Sequence, residues 1–148
     1  MEAEWTKVSS HCLCRDAEDR ILLTRFASPS HPDSGKWTLP GGGIEWGESP
    51  RDALHRELLE ETGLVAVPTS IAGVFSRWFS PDESYQGKSG LFVSIIFRTD
   101  HPKGQLRSEF DHLNTTDGVA WFDIEQVRHT PHVELVDFAL QLPDSDYR

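Results

Sequence analysis

A mixed α/β fold is what this sequence predicts, on three observations. Two runs, residues 20–26 (RILLTRF) and 91–98 (LFVSIIFR), have strand length and strand composition, and the second is apolar on nearly both faces, as a central sheet strand is. Between them, residues 50–62 read as a short amphipathic helix. Ser49 suits the N-cap, Pro50 the first helical position, and Gly63 the left-handed turn that ends a helix. Residues 133–142 (VELVDFALQL) read as a second helix, with Pro131 near its start and Pro143 past its end. At 148 residues the chain is expected to form one domain over residues 1–148, long enough to bury a core.

The elements follow in order. Residues 1–4 are expected to fray, and residues 5–14 alternate loosely as a strand. An acidic turn at Asp16-Ala17-Glu18-Asp19 leads to the strand at 20–26. Residues 27–36 are rich in Ser, Pro, Gly and Asp and form a loop, in which His31 reads as a solvated side chain. Trp37-Thr38-Leu39-Pro40 follows, with Trp37 read as a core residue, and then a glycine run, Gly41-Gly42-Gly43, read as a ligand-approaching loop. Trp46 lies in the loop beyond, where burial is harder, and suits stacking on a base or an interface. After the helix, residues 64–67 start a strand interrupted by Pro68, residues 71–80 continue it, and residues 81–89 form a polar loop expected to be mobile beside the site. Residues 104–111 read as another strand, 114–118 as a turn, 119–122 as a last short strand, and 144–148 as a frayed end.

Composition excludes several classes. A formal charge of −10 and a pI near 5.0 argue against gripping a nucleic-acid polymer by its backbone. No apolar run approaches the ~20 residues a membrane span needs, and no secretory leader pattern opens the chain, so a cytoplasmic location is expected. The two cysteines, Cys12 and Cys14, would share one strand face and point away from bridging each other. With His11 adjacent a metal site is conceivable, but buried thiols are the preferred reading.

The chemistry is signalled on the central helix. Glu57, Glu60 and Glu61 stand at i, i+3 and i+4, so three carboxylates crowd one face, while Leu54 and Leu58 sit beside it to pin the helix to a core. Like charges at that spacing destabilise a helix by about 0.2–0.5 kcal/mol per pair. Clustered hard oxygen ligands on a rigid element suit a divalent cation, and Mg²⁺ is the natural guest. A glycine-rich segment leading to a helix start favours phosphate, so Gly41 and Gly42 are candidate substrate contacts.

The spacing Gly42-x5-Glu48-x7-Arg56-Glu57-Leu58-x-Glu60-Glu61-x-Gly63-Leu64 resembles the Nudix box, complete at every defining position. The strand–acidic turn–strand opening and the Trp121-Phe122-Asp123 segment are similar to that family too. The resemblance implies an α/β/α sandwich with a mixed sheet, and Mg²⁺-dependent hydrolysis of a nucleoside diphosphate linked to another group, with Mn²⁺ as a possible substitute. It implies Glu57 and Glu61 as principal metal ligands, Glu60 joining directly or through water, and Gly42 offering its carbonyl. Arg56 would hold the carboxylates in register, and Glu48 would support the loop or metal shell. Outside the box, Arg25 could reach a phosphate or be a solvated strand end, and Arg77 and Trp78 suit a nucleotide or simply a sheet face. The general base varies in this family: a box glutamate, or here Glu109, Asp117 or Glu83, with Glu109 leading.

The expected partner is a small-molecule nucleotide, (d)NTPs or oxidised nucleotides fitting the short MutT-like length, with ADP-ribose and nucleotide sugars open. Where an ADP-ribose pattern expects proline, Trp78 stands. A non-catalytic nucleotide-sensing module is the alternative class, although it would be expected to lose box carboxylates and none is lost. Isopentenyl diphosphate isomerisation fits less well, because Cys12 and Cys14 lie too early in the chain. A monomer or a homodimer is expected.

Overall fold

The computed structural model describes residues 2–84, 86–111 and 115–144. Its elements are β1 (Trp5–Leu13), β2 (Ile21–Phe26), β3 (Trp37–Thr38), β4 (Gly41–Gly43), α1 (Pro50–Thr62), β5 (Leu64–Val65), β6 (Pro68–Phe79), β7 (Gly90–Thr99), β8 (Lys103–Gly104), β9 (Thr116–Phe122), α2 (Ile124–Arg128) and α3 (Glu134–Leu140). A mixed four-stranded sheet runs β4-β1-β7-β6, parallel only between β1 and β7. Beside it lie the antiparallel sheet β3-β2-β9 and the pair β5-β8.

Strand alternation separates two cores. Cys12, Cys14, Leu22 and Phe97 face α1 with Leu54 and Leu58, whereas Leu13, Ile21, Leu23 and Ile96 face α2 and α3 with Val127, Leu135 and Val136. Sheets between helices on both sides make the expected α/β/α sandwich. Leu54 and Leu58 are each 1% exposed, and burying such a side chain stabilises by about 1.5–3 kcal/mol. Cys12 and Cys14 are buried free thiols, with the Cys12 thiol pushed well up by burial. His11 is buried as well, sharing a 2.7 Å hydrogen bond with Ser94 Oγ, and burial lowers its pKa to about 3.

The ends of α1 are as the sequence specifies. Ser49 Oγ accepts from the Asp52 amide, and Gly63 takes φ 80°, its N–H donating to Leu59 O. Several other boundaries differ. The glycine run is an edge strand, β4, laddered to β1 from Ser9↔Gly43 to His11↔Gly41, rather than a free loop. The strand expected over 104–111 is confined to Lys103–Gly104. Beyond it, Arg107 N–H bonds the Thr62 carbonyl at the end of α1, so this backbone serves the helix terminus and not a ladder. Pro68 does not interrupt a strand but begins β6, a position where a missing donor is tolerated. β9 starts at Thr116, inside the expected turn, and Asn114 lies outside the described residues. The C-terminal helix is shorter than expected, Val133 being its N-cap, and α2 precedes it behind an Asp123–Gln126 capping box.

Residues 2–4 are tied down rather than frayed: Glu4 N–H bonds Ser89 O, and Ser89 Oγ donates to Glu2 O. Met1 and residues 145–148 lie outside the described residues, as does Tyr85 in the loop over 81–89. Among the described residues, no helix is long and apolar enough to cross a membrane.

Candidate active site

The site is assembled by α1 lying along β4. Arg56 is its hub. The guanidinium grips Glu48 with two parallel bonds, Nε to Oε2 at 2.8 Å and Nη2 to Oε1 at 2.9 Å. Its Nη1 donates to Glu57 Oε1 at 2.9 Å and to Glu60 Oε2 at 3.4 Å, and Nη2 also meets the Gly43 carbonyl at 3.2 Å. Glu48 in turn accepts from the Glu45 N–H, closing the loop that carries Trp46. The Arg56 bonds hold the Glu48 carboxyl down at about 2. Glycine at 42 is demanded by contact: a Cβ there would lie 2.7 Å from Glu57 Cδ, so any side chain would displace the carboxylate.

Glu61 is held differently. It is reached by the Gly41 N–H, 2.7 Å from Oε1, and by the Thr116 hydroxyl, 2.9 Å from Oε2. Burial pushes its pKa up to about 8 against the pull of those two donors. Burial also raises Glu57, opposed by Arg56 and by Lys7 of β1. Carboxylates desolvated this far are stabilised by a cation, and every donor here is a hard oxygen, so the residues fit Mg²⁺. A hollow of about 40 Å³ is lined by Glu57, Glu60, Glu61, Phe110, Thr115 and Thr116. Among the described residues no group of three His, Cys, Asp or Glu side chains already stands together at metal-binding spacing. Although the three box carboxylates share a helix face and a hollow, Glu57 and Glu60 turn to Arg56, and Glu61 to Gly41 and Thr116.

The other sequence candidates scatter. Arg25 Nε donates to Asp117 Oδ1 at 2.7 Å, its guanidinium lying 5.6 Å from the centre of half-buried Trp37. Arg77 and Trp78 project to opposite faces, because neighbours in a strand must. Arg77 sits over Phe79 and within 3.6 Å of Glu83 and Glu134, whereas Trp78 is exposed on the other face. Of the outside base candidates, Asp117 is engaged by Arg25 and Glu83 by Arg77. Glu109 is exposed on irregular chain rather than on a strand, and it is its neighbour Phe110 that lines the hollow. Among the described residues, no lining residue comes from the 81–89 loop expected at the mouth. His31 is half-buried against Phe26, its Nδ1 accepting from the Asp33 N–H, rather than fully solvated. Trp46 is fully exposed.

Sequence reasoning missed Thr116, Phe110 and Lys7. Thr116 lies far from the box in the chain, so no spacing could have pointed to it. Lys7 alternates with His11 on one strand face, a signal that was available.

Comparison with known proteins identifies the family and the fold. A family model described as the NUDIX domain matches residues 5–138. An ADP-ribose pyrophosphatase from Methanocaldococcus jannaschii is 35% identical over 119 residues, covering 76% of this chain and 65% of that protein. Diphosphoinositol polyphosphate phosphohydrolase 2 from Rattus norvegicus is 30% identical, covering 84% of this chain and 62% of its own. The chain thus spans just under two thirds of the length of these curated relatives. Among solved structures, a MutT protein from Methanosarcina mazei Go1 superposes with a TM-score of 0.72 at 26% identity, over 95% of this chain and 94% of that one.

Proposed function

The chain belongs to the NUDIX-domain family, and from that premise we propose that it is a Mg²⁺-dependent hydrolase of the diphosphate linkage in a nucleoside diphosphate derivative, a (d)NTP or oxidised nucleotide first among them. The observation that carries the reading is the single guanidinium of Arg56 spanning Glu48, Glu57 and Glu60 beside the half-buried Glu61. Such a hub fixes an excess of negative charge at one point, an arrangement with chemical use and no structural advantage.

In this reading Glu57, Glu60, Glu61 and the Gly42 carbonyl would hold Mg²⁺, or Mn²⁺ in its place. Bound there, the ion supplies charge neutralisation on phosphoryl oxygens and acidifies water. The protein's own work is positional. Arg56 keeps the carboxylates in register, whereas Arg25, paired with Asp117 over Trp37, stands on the face of β2 opposite them. The proton of the attacking water goes to a box glutamate, since Asp117 and Glu83 are paired and Glu109 stands off the hollow. Meeting the ion through water, Glu60 has the room, being 55% exposed in its side chain and held by the 3.4 Å bond from Arg56.

A second substrate reading, ADP-ribose, is favoured by the name of the M. jannaschii relative. A screen over nucleoside triphosphates, oxidised dGTP, ADP-ribose, nucleotide sugars and dinucleoside polyphosphates, with and without Mg²⁺, separates the two. Hydrolysis of one class, cut roughly 100- to 1000-fold by Glu61→Gln, is expected. A folded, Mg²⁺-binding protein silent on every compound would favour a nucleotide-sensing module instead.

A further inference from the structure

β9 departs from regular pairing at one place, and that place is at the hollow. Along β2–β9 the partners run Ile21↔Phe122, Leu22↔Trp121, Leu23↔Ala120, Thr24↔Val119 and Arg25↔Gly118, and then skip to Phe26↔Thr116. Asp117 is the extra residue, a β-bulge on β9. Bulges re-aim side chains. Val119 and Trp121 point to the α1 side of the sheet, where they pack with Leu22 and Leu54. Strict alternation would place Asp117 on that side and Thr116 on the opposite one. The extra residue reverses this: Thr116 joins the α1 side, buried, with its hydroxyl 2.9 Å from Glu61 Oε2. Asp117 in turn reaches across the pair to Arg25, 2.7 Å from Nε, with the Asp117 carbonyl 3.4 Å from Nη2.

We propose that the bulge at Asp117 makes Thr116 a positioning residue for the reaction: it turns the Thr116 hydroxyl to the α1 side, where it orients the Glu61 carboxylate, and leaves Asp117 on the opposite face with Arg25. This inference rests on the metal-dependent reading above. Thr116 does not touch substrate; it acts through Glu61. A donor of this kind fixes which oxygen of a ligating carboxylate faces the metal, and such outer contacts are worth roughly 10- to 100-fold in metal affinity or activity.

The test uses Thr116→Val, which keeps shape and loses the hydroxyl, Thr116→Ser, which keeps the hydroxyl, and Asp117→Asn. Mn²⁺ affinity is measured without substrate by electron paramagnetic resonance, alongside kcat, KM and thermal melting. The valine variant should lose about 10-fold or more in both Mn²⁺ affinity and kcat, and serine should restore both to within about threefold. Asp117→Asn, a change on the opposite face, should leave Mn²⁺ affinity as it was, and a loss there as large as the valine variant's would overturn the assignment to Thr116. Should the valine variant fail to fold, Thr116→Ala against Thr116→Ser gives the same contrast. Wild-type Mn²⁺ affinity and kcat in Thr116→Val, or a serine variant no better than valine, would overturn the proposal. A wild-type protein that binds no Mn²⁺ would overturn the metal reading itself, and is told apart because it needs no variant.

Discussion

Near the C-terminal end of β1, a cavity of about 290 Å³ is lined by Arg15, Asp16, Arg98, Thr99, Asp100 and His101, whereas the hollow beside β4 measures about 40 Å³. By volume the first would be chosen as a binding site. Its charges, however, are settled locally. Arg15 pairs with Asp19, Asp16 accepts from Arg20, Asp100 accepts from the Val67 N–H, and Arg98 donates to the Pro143 carbonyl. The smaller hollow is lined by three carboxylates, two of them bonded to one guanidinium, and burial raises the pKa of Glu57 and of Glu61. On the reading proposed above, the reactive site is marked by charge left in excess and held rigidly, not by space. The substrate would occupy open surface around the small hollow, the hollow itself having room for little more than an ion.

After the loss of the Glu61 carboxylate itself, the largest effect should come from loosening that rigid hold. Arg56→Lys keeps the charge but cannot bridge Glu48, Glu57 and Glu60 at once, because an ammonium is a point donor and a guanidinium a planar fork. Turnover on whichever substrate the screen identifies should fall roughly 10- to 100-fold. Melting temperatures taken alongside tell a lost register from a lost fold. Full activity in a folded lysine variant would mean that charge alone suffices, and the contrast drawn between the two cavities would fail.

The sequence made one side of this contrast readable and left the other hidden, for a physical reason. Helical geometry is local, so Ser49, Gly63 and the i, i+3, i+4 carboxylates announced α1, its caps and its charged face. Period-two alternation was likewise enough to predict that Cys12 and Cys14 share a buried face. The same rule separates Arg77 from Trp78, although both suit a nucleotide by residue type. What spacing cannot convey is pairing across the chain. Thr116 reaches Glu61 only because β9 pairs with β2 and bulges there. Residues 105–111 leave the strand expected of them because Arg107 bonds the end of α1. Glu109 therefore lies on irregular chain rather than on the expected strand, and its neighbour Phe110 lines the hollow.

A middle-sized effect concerns the floor of the rigid site. His11 lies beneath Gly41, whose missing Cβ would sit 2.8 Å from His11 Cδ2, and Gly41 carries the N–H that holds Glu61. Burial keeps the His11 pKa at about 3 when folded, below 6.5 for the free side chain. Between those values the unfolded chain binds more protons than the folded one. The stability due to the neutral ring is therefore complete above pH 6.5 and is lost progressively as pH falls towards 3. At pH 4.5 the loss should reach about 2–3 kcal/mol. Urea unfolding at pH 7 and 4.5 for wild type and His11→Asn isolates it, since other groups titrate equally in both. Identical pH slopes would show that the ring is not held neutral.

The smallest effect belongs to the larger cavity. With its charges already balanced, removing Arg15 and His101 together takes away an exposed ion pair and a surface ring, and neither reaches the carboxylates on α1. Stability in Arg15→Ala/His101→Ala should shift by no more than about 0.5 kcal/mol, and kcat and KM should stay within about twofold. A tenfold change in KM alone would show that the substrate extends along β1 into this cavity, making the two hollows parts of one site. A tenfold change in kcat with KM constant would mean instead that β1 carries the disturbance to His11 and Gly41, and that the rigidity of the box depends on the whole strand.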